Sequence, residues 1–168
     1  MAKIQIIPAD AEIRSKSVME NNNMIHLTSR AIFQNNKGQL LVLKDKDSDY
    51  FGLPGGGVEM TETPMQGLLR EIKEEMSLSP FPENFKLVGV EYRNDKGGDS
   101  EIIFIFQGKE LSEQESKEIV PSSEIGLAKF VDISEAYQLL TATMKRRLSA
   151  ILPNLEKKVT FLENGQEI

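Results

Sequence analysis

Arg70 is followed by Glu71, and Glu74 and Glu75 stand three and four positions further on. On a helix turning about 100° per residue, the three carboxylates fall within one wedge about 100° wide. Like charges on one face destabilise a helix, and Arg70, four residues before Glu74, relieves only part of the repulsion. Gly67 lies one turn before Glu71. A glycine inside a helix costs up to about 1 kcal/mol relative to alanine. Both features are wasteful in a scaffold. Both make sense if the wedge binds a divalent cation and Gly67 leaves room for a ligand. Magnesium takes hard oxygen ligands and keeps waters and substrate phosphates in its shell. An E-x-x-E-E helix taken alone is usually a solvated charged face, so the reading depends on what precedes it.

What precedes it is Pro54-Gly55-Gly56-Gly57. Pro54 stiffens the entry, and the glycines let the backbone pass close to a ligand. A carbonyl from this run can turn toward the carboxylates. The spacing is Gly56, five residues, Glu62, seven residues, Arg70-Glu71, the aliphatic Ile72, any residue, then Glu74-Glu75. Six specified positions at fixed offsets are not chance. The segment resembles the Nudix box, G-x5-E-x7-R-E-U-x-E-E-x-G-U, where U is aliphatic. It departs from that pattern only at Ser77, which replaces the last glycine before Leu78. That glycine serves a left-handed helix end, so serine there costs modest stability rather than chemistry. Thr61 also replaces a glycine frequent in relatives.

The resemblance implies a magnesium- or manganese-dependent hydrolase that splits a diphosphate linkage in a nucleoside diphosphate derivative or a nucleoside triphosphate. It implies metal ligands at Glu71 and Glu75, a third at Glu74, and a contribution from the Gly55 carbonyl. Arg70 then orients a box glutamate. Glu62 braces the helix start or reaches the metal through water. Water attacks phosphorus while the metal neutralises the phosphate oxygens. The general base is a box glutamate, Glu71 or Glu74, or an acid on a distant loop. Glu124 holds the favoured loop position, with Glu118 and Glu115 as alternatives. Gly56, Tyr50 and Phe51 are the expected substrate contacts, the two aromatics as a clamp for a base. His26, the only histidine, reads as structural.

The elements must hold these residues in place. Residues 24–33 suit a strand, Asn35-Asn36-Lys37-Gly38 is a hairpin signal, and residues 40–43 return. Residues 61–76 form a helix with Thr63 as N-cap and Pro64 in its first turn. Residues 85–93 and 101–107 are paired strands around a turn at 94–98, and the β-branched and aromatic run at 102–106 marks a central strand. Phe104 and Phe106 share one face and read as core. Residues 111–123 are loop-like, 127–131 a strand, and 135–152 one helix capped by Ser134. Lys145-Arg146-Arg147, near its end, complements the helix dipole. A short strand at 3–7, a turn at 21–23 and a short strand at 159–162 complete the chain. The order predicts an α+β fold, a Nudix-like α/β/α sandwich with a mixed sheet between helices. One domain spans residues 1–168, with a core at 24–152, an extension at 1–23 and a tail at 153–168.

Composition narrows the function. A chain of 168 residues with 39% hydrophobic and 27% charged residues fits one globular domain. The net charge of −6 disfavours long nucleic acid and membrane surfaces. With no cysteine, thiolate catalysis and the chemistry of isopentenyl-diphosphate isomerases drop out. No apolar run approaches the roughly 20 residues of a membrane span, and the N-terminus is a poor signal peptide. A cytoplasmic enzyme acting on a small phosphoanhydride follows, with a homodimer through residues 1–23 open. A catalytically weak nucleotide sensor and an RNA-end pyrophosphohydrolase are the competing readings.

Overall fold

The computed structural model describes residues 24–94 and 98–168. The features expected at residues 3–7 and 21–23, and most of the turn at 94–98, fall outside them.

Alternation with period two divides the core between two faces of one sheet. On β1 (Ile25–Ile32) and the residue after it, Ile32 joins one apolar cluster while Ala31 and Phe33 join the other. On β5 (Ser100–Gly108), Ile103 and Ile105 face the first cluster and Phe106 the second. The second cluster is closed by α1 (Pro64–Met76), whose Leu68, Ile72 and Met76 lie four residues apart and are fully buried. Each contributes roughly 2 kcal/mol through apolar burial. The first cluster is closed by α3 (Ile133–Leu139) and α4 (Ala142–Ile151), through Ala136, Leu148 and Ile151. The result is the expected α/β/α sandwich.

The main sheet has the order β3-β1-β5-β4-β7-β8, with β3 at Gly55–Gly57, β4 at Phe85–Asn94, β7 at Thr160–Glu163 and β8 at Gln166–Glu167. It is mixed: β1 runs parallel to β5, and β4 parallel to β7, while the other pairs are antiparallel. The 102–106 run is central, as its composition requires. Among the described residues no helix is long and apolar enough to cross a membrane.

Three expectations need correction. The turn at Asn35–Gly38 forms, with the Asn35 side chain accepting from the Lys37 and Gln39 amides, both at 3.0 Å. The strands it joins nevertheless part after a single bridge at Gln34 and Leu40. β1 already has β3 on one edge and β5 on the other, so β2 (Leu40–Asp45) pairs instead with β6 (Ile125–Val131) in a separate two-stranded sheet. The segment 111–123 is not all loop. Ser112 and Glu115 form a capping box that starts α2 (Glu113–Glu118). The single helix expected at 135–152 is two, because Leu140 is extended and its backbone bridges to Phe51. Thr141 then caps α4, accepting from the Met144 amide. Ser134 is not the cap of α3; Asp132 holds that position.

Candidate active site

The start of α1 is fixed from three directions. Thr63 Oγ1 accepts from the Gln66 amide at 3.3 Å, and Gln66 Oε1 accepts from the Thr63 amide at 2.8 Å. Ser29 on β1 donates to the Pro64 carbonyl at 2.7 Å. The far end closes at Ser77, which is left-handed with φ 58° and donates its amide to the Lys73 carbonyl. That is the conformation the replaced glycine would favour. Between these ends, the apolar stripe docks α1 on the sheet and turns the carboxylate wedge toward β3.

β3 is built for close approach. Gly55 has φ 116°, and a Cβ there would stand 2.2 Å from the Ser29 carbonyl oxygen, so no other residue fits. At Gly56 a Cβ would come within 2.5 Å of Glu71 Cδ. The Glu71 carboxylate therefore lies directly on the strand. Gly67 has a different purpose from the one expected. A Cβ there would meet Val58 Cγ2 at 3.1 Å and Glu62 Oε2 at 3.2 Å. Its smallness serves the packing of α1 on the preceding loop, not space for a ligand.

Arg70 is the hub of the polar side. Its Nε and Nη2 donate to the two oxygens of Glu62 at 2.8 and 3.0 Å, and Nη2 also to the Gly57 carbonyl at 2.8 Å. Nη1 donates to Glu71 Oε1 at 2.8 Å and to Glu74 Oε2 at 3.0 Å. Hydrogen bonds to Glu62, then to Glu71, raise the Arg70 pKa, and Arg70 lowers that of Glu62. Glu62 also accepts from the Glu59 amide at 3.0 Å. It braces the loop ahead of the helix.

Glu75 faces inward. Its Oε2 accepts from the Gly55 amide at 2.8 Å. Burial pushes its carboxyl up to about 7, while the Gly55 amide and the Arg30 charge pull it back. Arg30, on β1, was not singled out from the sequence. Its guanidinium donates to the carbonyls of Gly55 and Leu53, and burial lowers its pKa. A lone arginine within Thr28-Ser29-Arg30-Ala31-Ile32, a strand otherwise turning core-ward, was the signal available. The Gly55 carbonyl is thus shared with Arg30 rather than wholly free for a metal.

One cavity of about 1200 Å³ collects these groups. Glu71, Glu74 and Glu75 line it together with Gly55, Gly56 and Gly57, Arg30, and the loop residues Tyr50, Phe51 and Glu124. Thr141 and Met144, from the start of α4, also line it. Glu115 and Glu118 do not; they border a separate cavity beside Phe81 and Lys109. His26 lies apart and pairs with Asp99 at 2.9 Å. The three box carboxylates share one cavity wall, but among the described residues they do not converge on one point as ion ligands. Glu71 and Glu74 each accept from Arg70 through one oxygen, and Glu75 accepts from Gly55 through one. The donor set is entirely hard oxygen, which fits magnesium or manganese. The Gly56 cradle, open only because that residue lacks a Cβ, holds one of the donors at the cavity wall.

The fold and this wall define an α/β/α sandwich in which a glycine strand lies against a glutamate-bearing helix. The family pattern described as NUDIX domain matches residues 24–155, and the chain belongs to the Nudix family. An RNA pyrophosphohydrolase of Halorhodospira halophila is 41% identical over 49 residues, 29% of this chain and 27% of that protein. The chain therefore aligns with under a third of that relative's length. The MutT protein of Methanosarcina mazei Go1 superposes with a TM-score of 0.66 at 20% identity, over 82% of this chain and 99% of that one. A MutT NUDIX hydrolase of Burkholderia pseudomallei gives 0.61 at 20% identity, over 73% and 95%. At such identities the superpositions establish the fold.

Proposed function

We propose that this protein is a cytoplasmic, divalent-metal-dependent hydrolase that cleaves a diphosphate linkage in a nucleoside diphosphate derivative or nucleoside triphosphate. The observation that carries the reading is the common wall. Glu71, Glu74 and Glu75 line the same cavity as Tyr50 and Phe51, so a phosphate chain at the carboxylates places its attached group beside the aromatics. The 49-residue stretch that is 41% identical to an RNA pyrophosphohydrolase supports chemistry at a phosphoanhydride without naming the substrate.

In this reading Glu71, Glu75 and Glu74 would hold magnesium or manganese. The ion supplies positive charge for the phosphate oxygens and for the attacking water. Arg70 positions Glu71 and Glu74, and Glu62 fixes Arg70. Gly56 admits the phosphate chain beside Glu71. Arg30 adds positive charge behind Gly55. Glu124, on the loop before β6, takes the proton from water as general base.

The test is a hydrolysis screen of purified protein with magnesium or manganese against nucleoside triphosphates, nucleotide sugars and dinucleotides. Released phosphate and pyrophosphate are measured, with Glu75→Gln in parallel. Selective hydrolysis lost in the variant supports the proposal. Hydrolysis unchanged by the variant, or none by either protein, overturns it.

A further inference from the structure

A buried ion pair lies outside the set of groups the hydrolase reading uses. Glu91 on β4 is fully buried, and Arg147 on α4 is 3% exposed. Arg147 donates through Nε to Glu91 Oε2. Among the described residues, Glu91 Oε1 is buried without a hydrogen-bond partner. A buried pair with one oxygen orphaned is a poor stabiliser, and a well-packed apolar pair of the same volume would serve the fold at least as well. The expectation that Arg147 merely complements a helix end is therefore wrong, because its charge is spent inside the core.

The second arm of Arg147 shows what the pair holds. Nη1 donates to Met144 Sδ at 3.2 Å, one turn earlier on α4. Methionine has three rotatable side-chain bonds and ordinarily adapts to its surroundings. Here its sulfur is tied down. Met144 lines the cavity, and Arg147 is not among its lining residues. Phe51 is held as well: its backbone bridges to Leu140, and Lys129 Nζ stands 5.2 Å from its ring centroid. Phe51 and Met144 both pack on the first core cluster. α4 also packs on β4 beside this pair, where a Cβ on Gly89 would stand 2.8 Å from the tip of the Ile151 side chain.

We propose that Glu91 and Arg147 are positioning residues that lock Met144 into the cavity wall, and that Met144 and Phe51 together select the nucleobase of the substrate. The proposal rests on the phosphoanhydride reading of the cavity. The chemistry suits a flat ring: a thioether and an aromatic face both offer polarisable surface to a base. In the phosphoanhydride reading the carboxylates of the same cavity take the phosphates. The pair thus acts on discrimination between bases, not on bond cleavage.

The experiment uses methylene-bridged analogues of guanosine and adenosine triphosphate, with methylenediphosphonate as the base-free probe. Binding is then read whether or not the protein hydrolyses ordinary nucleotides. The Met144 methyl resonance, assigned with Met144→Leu, should shift with at least one nucleotide analogue and not with methylenediphosphonate. The paired apolar replacement Glu91→Leu/Arg147→Met should weaken binding of that analogue about tenfold and leave methylenediphosphonate binding unchanged. Arg147→Lys keeps a charge opposite Glu91 but lacks the second arm, so it should show the same selective loss. It decides the matter if the paired variant fails to fold. A Met144 signal indifferent to every nucleotide overturns the proposal. So do variants that bind both probe classes as the native protein does, or lose both equally. Failure of the hydrolase reading alone would appear differently, as no phosphate release from ordinary nucleotides with the selective binding pattern intact.

Discussion

The carboxylate of Glu71 occupies the space that a side chain on Gly56 would need, with Glu71 Cδ 2.5 Å from where a Cβ would stand. The glycine of the box is thus a condition for placing its glutamate. Gly56→Ala should push Glu71 off β3 by the better part of an ångström. Misplacement on that scale costs about 10²-fold in rate. Because Gly56 is an edge-strand residue with ordinary φ, the fold should survive. The check is kcat beside the thermal midpoint. Full activity in a folded Gly56→Ala protein would mean that Glu71 need not sit where it does.

Glu75 has a titration that stability can report. Burial raises its carboxyl to about 7 in the folded protein, against about 4.3 for an exposed glutamate. The folded state therefore holds this proton more tightly than the unfolded state. Its contribution is complete below about pH 4 and is lost as pH rises through about 7. Metal-free protein should show a falling thermal midpoint between about pH 5 and pH 8, and Glu75→Gln should flatten that fall. Magnesium should restore stability at the upper end by taking the proton's place. Melting curves across this range, with and without the ion, are the measurement. A native profile parallel to that of the variant would remove burial of Glu75 as the cause.

How far the site was legible follows from where its constraints lie. The shared wedge of Glu71, Glu74 and Glu75 depends on helix periodicity and short offsets, so spacing exposes it, while its function and the roles of Arg70 and Glu62 follow from the resemblance to the Nudix box. That Arg70 clamps Glu62 is seen only in the structure. The Thr63 cap and the left-handed Ser77 are local for the same reason. Arg30, Glu91 and Arg147 are long-range partners: Arg30 meets Gly55 across β1 and β3, and Arg147 meets Glu91 across 56 positions. No local rule announces such a pair. The break at Leu140 was missed because apolar spacing continues across it, while the deciding contact, the bridge to Phe51, is tertiary. The parting of β1 from β2 was missed for a like reason. Their turn is a good hairpin turn, but the edges of β1 are claimed by strands distant in sequence.

Ser77 separates the helix end from the chemistry. An L-residue in the left-handed region is strained by about 1–2 kcal/mol, and glycine relieves this at some cost in unfolded-state entropy. The Ser77 hydroxyl also donates to the Val120 carbonyl at 3.3 Å, a long bond on an exposed residue. Ser77→Gly should therefore be neutral or stabilising by up to about 1 kcal/mol, with activity unchanged. Denaturant unfolding and steady-state rates test both halves. A marked loss of rate would give Ser77 a function at the site.

The loop acids divide cleanly by location. Glu124 borders the cavity that holds the box glutamates, with its amide 3.4 Å from Ser122 Oγ and its carbonyl accepting from Lys46. Glu115 borders the other cavity, where Lys109 and the Ser112 amide and hydroxyl hold its carboxyl down at about 2. A carboxylate so engaged is a poor proton acceptor near neutral pH. Removing a general base typically costs 10²–10⁴-fold. Glu124→Gln should thus lower kcat by about 10² or more with little change in KM, and should flatten the acid limb of the pH–rate profile. Glu115→Gln should leave kcat unchanged and instead loosen α2, lowering the thermal midpoint slightly. If Glu124→Gln keeps its rate and its pH profile, the base is one of the box glutamates, and Glu71 and Glu74, each tied to Arg70 through only one oxygen, become the next positions to vary.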